Sequence, residues 1–316
     1  MRALVAILLV SCGAGDEPNA LRVGHFPNIT HAQGLIGHAR TRENKGWFEE
    51  RVGPGIRIEW CVFNAGPSAM EALLAGSIDL AYVGLSPALN AHVRTGGDEV
   101  RVVAGAARGG AGLVVQGDGR IRADKDFRGQ RVATPQFGNT QDLSCRAWLL
   151  DRGFAVTQTG GDVLVVPTEN PDQLPLFRLG EIGAAWTVEP WVSRLEMEGG
   201  GRLYHEEKDA VTTVVVASTR LLAKRRELAR RFVAAHVELT AWIAAHPAEA
   251  KAEVAAELLA ETRREMPGDL LDRAWSRLAF DARTPVAAFE ELQKRAVRTG
   301  FLKRAFPLER FTEAPG

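Results

Sequence analysis

The stretch from Ile56 to Thr95, IRIEWCVFNAGPSAMEALLAGSIDLAYVGLSPALNAHVRT, decides the fold. Ile56 to Phe63 alternates apolar and polar residues with the period of a strand. Gly66-Pro67-Ser68 then turns into a helix over Ala69 to Ala75, closed by Gly76. Ile78 to Val83 is again a strand, and Gly84-Leu85-Ser86-Pro87 opens a helix over Ala88 to Thr95. Upstream, Leu21 to Phe26 reads as a strand and Ala32 to Phe48 carries helical spacing; downstream, Val100 to Ala106 is a fourth strand. Strands alternating with helices of roughly 8–15 residues predict parallel βαβ units.

The pattern then restarts. Ala111 to Gln116, Gln130 to Ala133, Val163 to Val166 and Ile182 to Trp186 read as strands. Helices are expected over Leu143 to Leu150, around Pro171 to Leu179, and from Trp191 through Glu196. Val211 to Ala217 (VTTVVVA) is a last strong strand, and Arg220 to Lys303 is nearly all helix-like. The expected fold is therefore α/β, with two Rossmann-like lobes joined by two hinge crossovers, a ligand cleft between them and a C-terminal helical extension. Residues 21–110 plus 213–316 form lobe I, and residues 111–212 form lobe II. Such lobes present ligands with the carboxyl ends of their strands.

Composition narrows the function classes. The 316 residues are 46% hydrophobic, enough for a sizeable core, and 39 basic side chains balance 39 acidic ones. No strong global field draws nucleic acid, and no helix-turn-helix segment or basic patch precedes Leu21, so nucleic acid is not an expected partner. At the N-terminus, Arg2 precedes the apolar Ala3 to Val10 and then Ser11-Cys12-Gly13. A charged start, an apolar run and small residues are the parts of an export signal, and Leu9-Val10-Ser11-Cys12 resembles the lipobox of bacterial lipoproteins. On that reading, residues 1–20 are signal and tether, and Cys12 is the lipid attachment that anchors a monomer outside the cytoplasm. The plain alternative is an N-terminal strand or helix that contains a cysteine. Cys61 and Cys145 fall in different lobes, so no disulfide is expected between them.

Four loops at strand-to-helix junctions would line the cleft. They are Pro27-Asn28-Ile29-Thr30-His31, Gly84-Leu85-Ser86-Pro87, Phe137-Gly138-Asn139-Thr140-Gln141, and Trp186-Thr187-Val188-Glu189-Pro190-Trp191. Each offers small polar side chains and the unpaired N–H groups of a helix start, which attract an oxyanion. Ordinary structural roles compete. Ser86, Asn139 and Thr140 are good N-caps, Glu189-Pro190 suits a cap with proline in the first turn, and Trp186 and Trp191 suit core or hinge packing. The Phe137 to Gln141 turn lacks the lysine of a nucleotide-phosphate loop. Ser86, His31 and Glu189 do not follow a recognisable nucleophile-elbow pattern, and the seven histidines are scattered without close metal spacing. No cofactor and no metal are expected. Arg108, near the first crossover, is an alternative source of a cation.

The blocks HFPNITHA, AGPSAMEALLAGSIDLAYVGLSPAL, RGQRVATPQFGNTQD, NPDQLPLFRLGEIGAAWTVEPW and VTTVVVAS occur in this order. Together they resemble the nitrate/sulfonate/taurine/bicarbonate group of ABC-transporter solute-binding proteins. The resemblance implies a two-lobed periplasmic-binding-protein fold that closes on a small solute and delivers it to an ABC permease. It implies ligand contacts at Pro27, Asn28, His31, Ser86, Gly138, Asn139, Thr140, Trp186 and Glu189. Aliphatic-sulfonate members carry an acid where this chain has Leu85, which suggests a different or more apolar ligand. The alternative is an enzyme of the same fold, such as a pyrimidine-precursor synthesis protein.

Overall fold

The computed structural model describes residues 17, 19–157 and 160–313; the expected signal segment and Cys12 lie outside them. The chain begins with β1 (Ala20–His25), α1 (Ala32–Arg42), α2 (Trp47–Val52), β2 (Arg57–Val62), α3 (Gly66–Leu74), β3 (Leu80–Val83), α4 (Leu85–Arg94) and β4 (Val100–Gly109). A second set follows: β5 (Ala111–Gln116), β6 (Arg131–Thr134), α5 (Thr140–Asp151), β7 (Leu164–Pro167), α6 (Asn170–Arg178), β8 (Ala184–Val188), α7 (Trp191–Met197) and β9 (Gly201–Glu207). The remainder is β10 (Val211–Ser218), α8 (Thr219–Lys224), α9 (Arg226–Ala245), α10 (Pro247–Thr262), α11 (Gly268–Ser276), β11 (Leu278–Phe280) and α12 (Val286–Arg298).

Two sheets result, in the orders β11-β4-β10-β3-β1-β2 and β7-β6-β8-β5-β9. β1 is parallel to β2 and β3, and β6 is parallel to β7 and β8, as the βαβ pattern requires. The sheets are nevertheless mixed. β10 runs antiparallel to β3 and β4, and β5 runs antiparallel to β8 and β9. The reason is connectivity: β4 continues straight into β5, and β9 returns straight into β10, so each sheet contains strands that run toward the other.

The alternation of β10 shows how the layers are built. Val215 and Ala217 enter one apolar cluster with helices α1, α9 and α10, while Val214 and Val216 enter another with α3, α4 and α12. Both faces of this strand are covered, which is why it reads as a continuous apolar run. In the second sheet Leu113 and Val115 face one cluster and Val114 the other.

Three elements depart from the sequence expectation. The helix expected over Ala32 to Phe48 is two helices, broken where Asn44 takes a φ of 57°. β9 carries an Arg-Leu-Tyr-His-Glu-Glu run, half-buried after the exposed Arg202, at a sheet edge and becomes a strand by pairing with β5. β11 interrupts the helical tail and is held by β4. Cys145 is a buried free thiol on α5, with no bridge to Cys61 in β2.

The crossovers lie side by side. Gly109 and Gly110 have φ values of +70° and +66°, and the Gly109 N–H donates to the Ala210 carbonyl at 2.8 Å. A Cβ on Gly109 would sit 2.4 Å from the Arg277 carbonyl and 2.8 Å from that of Lys208, so only glycine fits this approach.

The C-terminal helices clasp the second sheet's helices. Leu271 and Ala274 anchor α11 in the core of the first sheet. Arg277, just past α11, donates to Glu189 Oε1 at 2.8 Å and to Glu196 Oε2 at 2.7 Å. Glu189 also accepts from the Ser193 N–H and hydroxyl, and is fully buried. Burial lifts the Glu189 carboxyl above its ordinary pKa, opposed by the Arg277 and Ser193 donors. Arg277→Ala is expected to cost about 3 kcal/mol, because it strands a buried carboxylate. Chemical denaturation checks this, and Arg277→Ala with Glu189→Gln should recover part of the loss.

A buried histidine makes a second prediction. His236 on α9 sits between the Tyr82 hydroxyl at 3.0 Å and the Gly105 carbonyl at 2.8 Å. The carbonyl can only accept, so Nε2 carries the proton and Nδ1 accepts from Tyr82. Burial pushes the pKa down to about 4, opposed by the hydrogen bond to Gly105. The unfolded imidazole takes a proton below about pH 6.5 while the folded one stays neutral to about pH 4, so stability is lost as pH falls between them. The loss attributable to His236 is roughly 3 kcal/mol. Urea melts at pH 7 and pH 4.5 should show this share of the drop missing in His236→Gln.

Candidate functional site

The carboxyl ends of β1, β3, β6 and β8 point toward one another across the two sheets, and a small chamber of about 30 Å³ lies between them. Five helix starts converge on it. They contribute Asn28, Thr30 and His31 before α1, Ala65 and Gly66 at α3, Gly84 at α4, Asn139 and Thr140 at α5, and Asn170 at α6. No side chain of the N-cap residue caps α3, α4 or α6, and in α4 the Ser86 N–H is taken across the chamber by Thr140 Oγ1. Phe26, Asn64, Pro87, Pro135, Gln141, Val188 and Thr212 complete the wall. No Asp, Glu, Lys or Arg is in the lining.

His31 is the one titratable side chain in that wall. Its ring lies 4.3 Å from that of Phe26, and its Nδ1 is buried without a hydrogen-bond partner. Burial and, second, the neighbouring His25 push its pKa well below the ordinary value, opposed by Glu261. The imidazole is therefore neutral at pH 7 and offers the chamber a hydrogen bond, with no charge.

The opening turn of α5 is fixed from below. Asn139 Oδ1 accepts from the Asp142 N–H at 2.8 Å, and Asp142 Oδ2 accepts from the Gly138 N–H at 3.0 Å. Asp142 is fully buried, bonded to the Thr134 hydroxyl and paired with Arg146 at 3.1 Å. That pairing neutralises an acid which would otherwise oppose an anion at the α5 start. The Asp142–Arg146 spacing of four residues was readable as a helical pair; its part in the turn was not.

The halves touch across the chamber. The Ser86 N–H donates to Thr140 Oγ1 at 3.2 Å, and Ser86 Oγ donates to the Gly138 carbonyl at 3.3 Å. Trp191 Nε1 donates to Asn28 Oδ1 at 3.0 Å, and Asn64 Nδ2 donates to Glu169 Oε2 at 3.2 Å. A Cβ on Gly84 would lie 2.4 Å from Thr140 Oγ1, so this approach depends on glycine.

Of the sequence-derived candidates, Asn28, His31, Asn139 and Thr140 line the chamber. Pro27, Ser86 and Gly138 adjoin it, the last two spent on the contact between halves. Glu189 turns its carboxylate to Arg277 and Ser193, away from the chamber. Trp186 packs against Trp148 and His205 and donates to Glu207 Oε2 at 3.1 Å, on the wall of a separate groove beside α5 and α12. Desolvating an acid without a cation is costly, and a tryptophan this large fills the core before it can wall a small chamber. Leu85 lines the same groove and is not in the chamber wall. Arg108 pairs with Asp281 and is more than a third exposed. Asn64, Ala65, Gly66 and Asn170 were not singled out from sequence, although Gly66-Pro67 marked a helix start.

Comparison with known proteins agrees with this architecture. An aliphatic sulfonates-binding protein of Escherichia coli, itself named as provisional, is 27% identical over 211 residues, covering 66% of this chain and 61% of that protein. The taurine-binding periplasmic protein of Escherichia coli is 29% identical over 145 residues, covering 46% and 43%. The chain thus spans about three fifths, or less, of these relatives' length. Among solved structures, the alkanesulfonate-binding protein SsuA of Xanthomonas axonopodis pv. citri, bound to MOPS, superposes with a TM-score of 0.73 at 20% identity, covering 94% of this chain and 97% of that one. The periplasmic nitrate-binding protein NrtA of Synechocystis PCC 6803 gives 0.71 at 14% identity, covering 94% and 92%. The fold is that of the periplasmic binding proteins. With residues 14–260 matched by its family model, the chain belongs to the NMT1-like family.

Proposed function

We propose that the protein is the non-catalytic solute receptor of an ABC import system, closing on a small solute with an oxyanion head and delivering it to a permease. The convergence of five helix starts on a chamber without a formal charge carries this reading. Helix N-termini and neutral donors suit an anion, and each hydrogen bond to a charged group is worth about 1.5–3 kcal/mol. Three or four such bonds hold a small anion without a buried cation. In this reading residues 21–110 plus 213–316 and residues 111–212 are the two lobes, and they hinge at the paired crossovers. The ligand contacts are Asn28, His31, Asn139 and Thr140, with Pro27, Ser86 and Gly138 shaping the closed state. The names of the relatives support sulfonate, taurine or nitrate as the solute class. An extracytoplasmic monomer anchored through Cys12 completes the proposal.

Thermal unfolding and calorimetric titration with taurine, short alkanesulfonates, nitrate and bicarbonate test it. At least one oxyanion should raise the unfolding temperature, and a neutral amide of the same size should not. Stabilisation by none of them, or chemical change of a solute, would overturn the reading. Thr140→Ala should weaken the bound anion about tenfold or more, since it removes a donor in the chamber. Gly84→Ala should also weaken binding while leaving the ligand-free protein close to wild-type stability, because its backbone φ of −66° suits alanine and only the approach of Thr140 is obstructed. With His31 neutral, affinity should be flat between about pH 6.5 and 8. Detergent partitioning of wild type against Cys12→Ala tests the anchor.

A further inference from the structure

His25 ends β1, His38 lies on α1, and Glu261 lies in the last turn of α10. Their separations of 13 and 223 residues hid any relation in the sequence. In the fold His25 Nε2, His38 Nδ1 and Glu261 Oε1 form a triangle with sides of 3.2, 3.1 and 2.9 Å. It is the one cluster among the described residues with metal-ligand character. Around a tetrahedral zinc ion, with bonds of about 2.0–2.2 Å, neighbouring ligand atoms lie about 3.3 Å apart. The triangle is within a few tenths of an ångström of that spacing.

Hydrogen bonds from both rings to one carboxylate oxygen leave part of the arrangement unpartnered. Two ring nitrogens face each other while both face a single carboxylate oxygen, and the second oxygen, Glu261 Oε2, is buried without any partner. A cation at the centre engages all three ligand atoms, and a bidentate carboxylate uses the fourth. Glu257 Oε1, 3.0 Å from His38 Nδ1, stands beside the triangle and is held by Arg42 at 2.6 Å. Trp60 packs its ring against both imidazoles and keeps their orientation, with its own Nε1 donating to Thr41 Oγ1 at 2.9 Å. The His25 and Glu261 side chains are 0% and 3% exposed, whereas His38 is 19% exposed, which gives an ion a route in.

We propose that His25, His38 and Glu261 form a structural site for a divalent transition-metal ion of zinc type, stapling α10 to β1 and α1. Two imidazoles and a carboxylate suit such an ion better than magnesium or calcium. The site lies outside the anion chamber, at the base of the Phe26 to His31 segment that lines it. The ion therefore ties the C-terminal helices to the wall of the ligand site without touching the ligand.

Tag-free protein stripped with EDTA and titrated with Zn2+ by calorimetry should bind one equivalent. Its unfolding temperature should rise and fall back on adding EDTA, and Co2+ should give the intense visible bands of a low-coordinate site. His38→Ala and Glu261→Gln should each weaken Zn2+ at least tenfold, while exposed His246→Ala should not. No stoichiometric Zn2+ binding at 100-micromolar ion, on the order of a weak site's Kd, would overturn the proposal and leave a hydrogen-bonded network. So would undiminished binding in both ligand variants. If a variant fails to fold, the Co2+ spectrum of the wild type decides. Anion binding measured on the stripped protein separates failure of this site from failure of the receptor reading.

Discussion

The chamber exists because two sheets are joined by a pair of crossovers that cannot move independently. The Gly109 N–H to Ala210 carbonyl hydrogen bond ties the outgoing strand to the returning one. Everything that touches across the chamber depends on that pairing, including Ser86 with Thr140 and Trp191 with Asn28. The same constraint dictates the mixed sheets, since a strand that runs into the neighbouring sheet and a strand that comes back must run in opposite directions. Glycine at 109 is required by backbone crowding at the hinge, and glycine at 84 by the approach of Thr140.

Charge is organised around this geometry by exclusion. Two buried acids near the chamber are neutralised where they stand: Asp142 by Arg146, and Glu189 by Arg277 with Ser193. What remains in the chamber wall is a set of helix starts, amides, threonine hydroxyls and a neutral imidazole. On the proposed receptor reading, helix starts and neutral donors suit a single small anion better than a polyphosphate. The missing lysine in the Phe137 to Gln141 turn fits that arrangement.

The C-terminal helices do more than cap the first sheet. α11 reaches the second sheet's helix α7 through Arg277, and α10 meets β1 and α1 at the His25, His38 and Glu261 triangle. Both contacts join segments far apart in the chain, and both lie next to segments that shape the chamber.

Local periodicity made the repeated strands and helices legible, because a strand buried on one or both faces must carry its apolar residues in step with the pleat. The loops after β1, β3 and β6 were legible for a related reason: turn and cap residues announce where a strand gives way to a helix. Half-exposed β9 and three-residue β11 carried no such pattern, and only their partners made them strands. Side-chain direction was likewise undetermined by spacing. Glu189 and Trp186 sit on the expected segment, yet one turns to Arg277 and the other into a separate groove, because each satisfies its buried polar group there. The sequence by itself determined the βα alternation, the two sets and the helix starts, all of them consequences of short-range pattern. Tertiary structure alone decided which of those starts converge, which acids are neutralised, and that two distant histidines meet a glutamate, because these depend on contacts between residues that the chain separates by tens to hundreds of positions.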